Sequence, residues 1–160
     1  MRIALAASIA ISLFVGLAVS AQADDWRRYD NARFAYAIAL PPGFSDIAEA
    51  GNGDGGISKA SDSKAELRVW GTNIIDGDFS DEVAARVSSD KADGWNIAYD
   101  QRDAEWASWS GSKGARIFYQ RAIEGCDGSA AFFRLDYDED QRADYDAIVT
   151  RLVKSLRPNC

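Results

Sequence analysis

The sequence predicts an α+β domain: short strand-like segments joined by turn residues fill most of residues 24–160, and the chain closes on one amphipathic helix. Three observations carry this. Gly114 to Glu124 and Ala130 to Tyr137 are strand-rich segments on either side of Asp127-Gly128, a tight-turn dipeptide that makes them hairpin partners. Tyr145, Ile148, Val149, Leu152, Val153 and Leu156 fall on one stripe at helical spacing. Two cysteines, Cys126 and Cys160, stand near the hairpin tip and at the end of the sequence.

Taken in order, Trp26 to Asn31 reads as a short polar lead-in. In Phe34 to Leu40 large apolar residues alternate with alanines, the pattern of a strand covered on both faces. Pro41-Pro42-Gly43 ends it by removing donors and imposing a turn. Ser45 to Gly56 closes with a glycine-rich loop over 51–56. A strand near Ile57 to Ser61 and another over Ala65 to Thr72 flank Asp62-Ser63-Lys64 as a hairpin. Ser80 is the expected N-cap of a helix whose first turn carries Asp81 and Glu82, with Val83, Ala84 and Val87 as its apolar stripe and Gly94 as its stop. Trp95 to Tyr99, Glu105 to Ser110 and Gly114 to Glu124 follow as strands. The terminal helix has Asp138, Glu139 and Asp140 at its start and Arg151, Lys154 and Arg157 at its end, as the macrodipole prefers, and Pro158 stops it.

The N-terminus points to export. Met1-Arg2 supplies a positive region, Ile3 to Ala21 is uncharged and apolar, and Ala21-Gln22-Ala23 is a signal-peptidase pattern. Residues 1–23 are therefore expected to be a cleaved signal peptide and 24–160 one domain in the periplasm or the medium. No second apolar run reaches spanning length, so no membrane insertion is expected after cleavage. The chain carries a net charge of −7 and no Lys/Arg cluster, which argues against nucleic acid as a partner.

Two cysteines in an exported chain read first as a disulfide. Reach supports the pairing. A strand running from the hairpin tip and a helix packed antiparallel on it bring Cys160 back beside Cys126. Loop-entropy estimates give such a bridge roughly 3–4 kcal/mol.

Tyr29 to Tyr36 followed by Leu40-Pro41-Pro42-Gly43-Phe44 resembles the opening of the PsbP-like (MOG–PsbP-like) α/β/α sandwich proteins. Gly53-Asp54-Gly55 before a strand, Ser110-Gly111-Ser112-Lys113-Gly114 leading into Arg116-Ile117-Phe118-Tyr119, and the helix from Tyr145 to Pro158 extend the resemblance over most of residues 24–160. It implies an antiparallel β-sheet flanked by helices on both faces. It implies no catalytic residues: relatives range from a photosystem accessory subunit to a Ran-binding factor.

With no histidine, neither a Ser-His-Asp triad nor a histidine metal site can form. There is no phosphate-cradling loop with its Lys-Ser/Thr, and no cofactor is expected. Ser110 or Ser112 with Lys113 lies in an expected turn, too exposed for a dyad. Glu66, Glu82, Glu105 and Glu139 show no spacing that picks out a pair about 5–10 Å apart, as a glycosidase needs. Asn52 with Asp54, and Asp136, Asp138, Glu139 and Asp140, fail the calcium-loop template at its glycine and glutamate positions. Trp26, Trp70, Trp95, Trp106 and Trp109 are expected in the core; Trp106 and Trp109, three apart, face opposite sides of a strand. No catalytic, cofactor or metal residue is assigned. The expectation is a non-enzymatic accessory or binding protein with an unidentified protein or small-molecule partner in the cell envelope. The alternatives are a carboxylate-dependent hydrolase of envelope glycans, or an inhibitor of an exported enzyme presenting 51–56 or 110–114 as a rigid loop.

Overall fold

The computed structural model describes residues 25–62 and 64–160; the expected signal segment, 1–23, lies outside the described residues. Ten strands and two helices follow one another as β1 (Arg27–Asn31), β2 (Tyr36–Leu40), β3 (Ala48–Glu49), β4 (Gly55–Lys59), β5 (Glu66–Asn73), α1 (Phe79–Ala92), β6 (Asn96–Arg102), β7 (Trp106–Lys113), β8 (Arg116–Glu124), β9 (Ser129–Asp138), α2 (Arg142–Ser155) and β10 (Arg157–Pro158). Seven strands form an antiparallel sheet in the order β3-β4-β5-β9-β8-β7-β6. A second, three-stranded sheet is ordered β1-β2-β10.

Strand β9 shows how the layers are built. Ala131, Phe133, Leu135 and Tyr137 point into one core with β2, Tyr145 and Leu152 of α2, and Leu156 beyond its end. The alternate residues Ala130 and Phe132 point into a second core with Phe79, Val83 and Val87 of α1. The large sheet therefore carries a helix on each face and is an α+β sandwich. The turn that starts β9 has φ 54° at Asp127 and 72° at Gly128, and Ser129 N–H donates to the Cys126 carbonyl at 3.1 Å. Positive φ at both central residues makes this a primed turn, the kind an Asp-Gly pair favours in hairpins.

Several local expectations change. The lead-in is strand β1: its residues are mostly exposed, so hydrogen bonding to β2 places it rather than apolar alternation. Gly55 and Gly56 belong to β4, not to a loop. A Cβ at Gly55 would lie 2.1 Å from the Val69 carbonyl oxygen, so the close strand approach needs glycine. The N-cap of α1 is Asp78, not Ser80. Its carboxylate accepts from Asp81 N–H at 3.0 Å, and the Asp81 carboxylate accepts from Asp78 N–H at 3.1 Å, a reciprocal box that lets Phe79 enter the core. Ala84 is exposed, and the buried stripe runs instead through Phe79, Val83, Val87 and Asp90. Residues 110–113 are strand, with the turn at Gly114-Ala115, so 110–114 is not a protruding loop.

The Sγ atoms of Cys126 and Cys160 are bonded, with Cα atoms 5.9 Å apart. The chain reaches the bond through β10, where Arg157 pairs with Ala37, and through Asn159 N–H, which donates to the Ala35 carbonyl at 2.7 Å.

Candidate functional site

The α1 face of the sheet is not apolar throughout. Arg68 of β5, Arg134 of β9, Gln120 of β8 and Trp109 of β7 pair across four strands to make one row on that face. Helix α1 lies over part of this row and presents Asp90, the fourth position of its buried stripe. The sheet here has a guanidinium to match. Arg134 Nη1 donates to Asp90 Oδ1 at 2.7 Å and to Gln120 Oε1 at 3.1 Å, while its Nε donates to Asp136 Oδ2 at 3.2 Å. The second Asp90 oxygen accepts Trp109 Nε1–H at 2.7 Å. Arg134 also lies 3.7 Å from the Phe118 ring centroid and 5.0 Å from that of Trp95. The three charged residues are buried, at 9% exposure or less.

Beside this network opens a cleft of about 300 Å³, walled by Trp70, Trp95, Arg68, Arg86 and the α1 residues Ser89, Asp90 and Asp93. Trp70 is stacked on Phe132 at 5.1 Å between centroids, and Trp95 meets Phe118 edge-on at 4.9 Å. A neighbouring concavity of about 510 Å³, reaching the β3–β4 turn, shares Arg68, Trp70 and Arg86. The guanidiniums are neutralised locally: Arg86 Nε donates to Glu82 at 2.8 Å, and Arg68 Nε donates to Glu66 at 2.9 Å. The cleft thus offers two indole walls and balanced charge.

Burial holds the Asp136 carboxyl above its ordinary pKa, against the opposing pull of Arg134, Arg68 and Arg116. The folded state therefore binds this proton more tightly than the unfolded chain does. Its contribution favours folding at acidic pH and is lost as pH rises from about 4 through the higher folded value. The stability of the wild-type protein relative to Asp136→Asn should accordingly fall as pH rises across that window, then level off. Urea unfolding of both proteins along a pH series checks this; a constant difference contradicts it.

The residues singled out in the sequence are scattered. Glu66 and Glu82 hold arginines at the cleft rim, Glu105 and Glu139 are exposed, and Asp138 pairs with Arg116 at 2.6 Å. Asn52 Nδ2 donates to Asp54 Oδ2 at 2.6 Å in the turn before β4. No group of three or more His, Cys, Asp or Glu able to hold a metal ion occurs among the described residues. Lys113 Nζ donates to the Asp93 carbonyl at 2.7 Å on the α1 face, while Ser110 and Ser112 alternate to the other, so they form no dyad. Trp109 is fully buried against α1, and Trp106 packs into the opposite core. Asp90, Arg134 and the Trp70–Trp95 pair went unrecognised in the sequence. The available signals were an acid continuing an apolar helical stripe and an arginine inside an apolar strand.

The fold and the cleft together define an α+β sandwich with one concave, tryptophan-walled face. No protein-family model matches the chain, and no curated protein does either. Among solved structures it is similar to the cyanobacterial PsbP (CyanoP) of Synechocystis, with TM-score 0.62 and 15% identity over 90% of this chain and 98% of that one. It is also similar to the Ran-binding protein Mog1p of Saccharomyces cerevisiae, with TM-score 0.61 and 10% identity over 84% of this chain and 95% of that one. The fold is PsbP/Mog1-like, and at such identities the likeness speaks for the fold alone. No helix among the described residues is long and apolar enough to cross a membrane.

Proposed function

We propose that the chain is an exported, non-enzymatic accessory or binding protein of the cell envelope that takes a partner in the α1 cleft. The observation that carries this reading is the cleft itself: two indole walls, supported from below by Phe132 and Phe118 and edged by arginines whose charges are already matched. Such a surface suits a partner with a flat or apolar face flanked by polar groups. Export rests on the N-terminal sequence and agrees with a cystine, which persists in oxidising compartments. The hydrolase reading has one observation in its favour, since two buried acids, Asp90 and Asp136, border the same cleft. Against it, both face Arg134, and both Asp90 oxygens accept hydrogen bonds, which leaves a poor general base.

Affinity capture from envelope extracts tests the proposal. Ser89 is exposed on α1 at the cleft edge, so Ser89→Trp should block the cleft without touching the core, and Thr150→Trp on α2 is the matched control. The wild-type protein and the control should capture the same partner and the blocked variant should lose it. Reproducible capture of nothing, or equal capture by the blocked variant, rejects the proposal. Glycan turnover lost on Asp136→Asn would install the hydrolase reading instead.

A further inference from the structure

On the opposite face of the large sheet, α2 and the small sheet pack into the core over β5 and β9, while the β6–β7 end stays half open. Strand register puts Ser108 beside Arg121 and Ser110 beside both Tyr119 and Tyr99 on that face. Arg121 lies with its guanidinium 4.2 Å from the Trp106 ring centroid, and its Nη1 donates to Ser108 Oγ at 2.9 Å. Its buried Nε–H meets no acceptor among the described residues. Arg68, Arg86, Arg102 and Arg134 each hold a carboxylate, whereas no ion pair among the described residues includes Arg121. A half-buried cation without a counter-ion is costly, and it stands out in a chain of net charge −7. Burial also pulls the guanidinium below its ordinary pKa.

The surroundings specify what would complete it. Tyr99, Tyr119 and Phe133 form a ladder of rings stacked at 6.2 Å, and Tyr99, at 40% exposure, is its outer rung. Hydroxyls of Ser108, Tyr99 and Tyr119 lie on the same face. One unmatched cation within an acidic protein favours a monoanion over a doubly charged phosphate. A planar guanidinium matches a carboxylate, and an open tyrosine ring accepts a flat ring face. We propose that Arg121, Tyr119 and Tyr99, with the buried Ser108 hydroxyl holding the guanidinium in place, form a second binding site, separate from the α1 cleft, for a carboxylate attached to a ring. A uronic acid and an aromatic acid share that chemistry.

Titration of the oxidised protein with glucuronate, benzoate, glucose and inorganic phosphate tests the site, read by NMR at the Arg121 Nε–H and Trp106 indole signals. One or both carboxylates should shift these signals, and glucose should not. Arg121→Gln should weaken binding about tenfold or more, the scale of a lost charge-assisted hydrogen bond. Tyr99→Ala, at an exposed rung, should weaken it several-fold while leaving the fold intact. Should Arg121→Gln fail to fold, the wild-type shifts and Tyr99→Ala decide. Three results overturn the site: no shift with either carboxylate, binding unchanged by Tyr99→Ala, or phosphate bound as tightly as the carboxylates. Shifts with glucuronate alone identify an acidic sugar, and shifts with benzoate alone an aromatic acid; each supports the site.

Discussion

Replacing Arg134 by methionine is expected to lower the unfolding free energy by about 3–5 kcal/mol, a large part of the 5–15 kcal/mol typical of a whole domain. The reason is what the substitution leaves behind. Asp90 and Asp136 are each 8% exposed and both contact Arg134; without it Asp90 has no ion pair among the described residues and Asp136 keeps only Arg68, at 3.7 Å. Methionine is long and polarisable enough to keep much of the packing on Phe118 and Trp95, so the loss reports uncompensated charge more than a cavity. The triple variant Arg134→Met, Asp90→Asn, Asp136→Asn should recover most of the deficit, because a fully neutral replacement of a buried ion network is often tolerated. The amide oxygen that Asp90→Asn introduces would still offer Trp109 Nε1–H an acceptor. Urea unfolding at neutral pH with the disulfide intact measures both variants. A single variant within 1 kcal/mol of wild type, or a triple variant as unstable as the single, would refute charge compensation as the role of this network.

Opening the Cys126–Cys160 bridge should cost about 4 kcal/mol by the loop-entropy estimate, for a sequence separation of 34 residues. The loss should also have a location. The bridge pins the segment after α2, so reduction should first release β10 from β2 and speed exchange of the Asn159 amide, which donates to Ala35. The β8–β9 ladder, central in the sheet, should hold its protection until global unfolding. Unfolding with and without reductant, followed by amide exchange, reads both parts. Two free thiols in unreduced material purified from the envelope, or equal stability in both redox states, would show that the bridge does not stabilise this fold.

Much of the fold was legible because its signals are local. Asp127-Gly128 states its turn through the backbone freedom of those two residues. The stripe from Tyr145 to Leu156 states a helix with one buried face, and Trp106 and Trp109 part to opposite faces because strand side chains alternate. Strand β1 was hidden for the complementary reason. Its mostly exposed residues carry no alternation, and only hydrogen bonding to β2 makes it a strand. Ser80 and Asp78 are both good N-caps, so the local sequence leaves the start of α1 open by two residues. The choice fell to the Asp78–Asp81 box and to the core position it gives Phe79.

The candidate sites were far less legible. Asp90 and Arg134 are 44 residues apart in sequence, and no local pattern of charge links one to the other. An Asp on a helix and an Arg on a strand are ordinarily solvated. Here the helix packs so that both are enclosed together, and the same packing leaves Trp70 and Trp95 lining a hollow. Arg121 is the mirror case, half-buried by Trp106 and with no ion pair among the described residues. The sequence by itself determined the α+β class, the order of most strands and both helices, because periodicity and turn chemistry act within a few residues. Tertiary structure alone decided the small sheet, the cleft and the fate of each charge, because enclosing a charge depends on what packs over it, and that neighbour comes from a distant part of the chain.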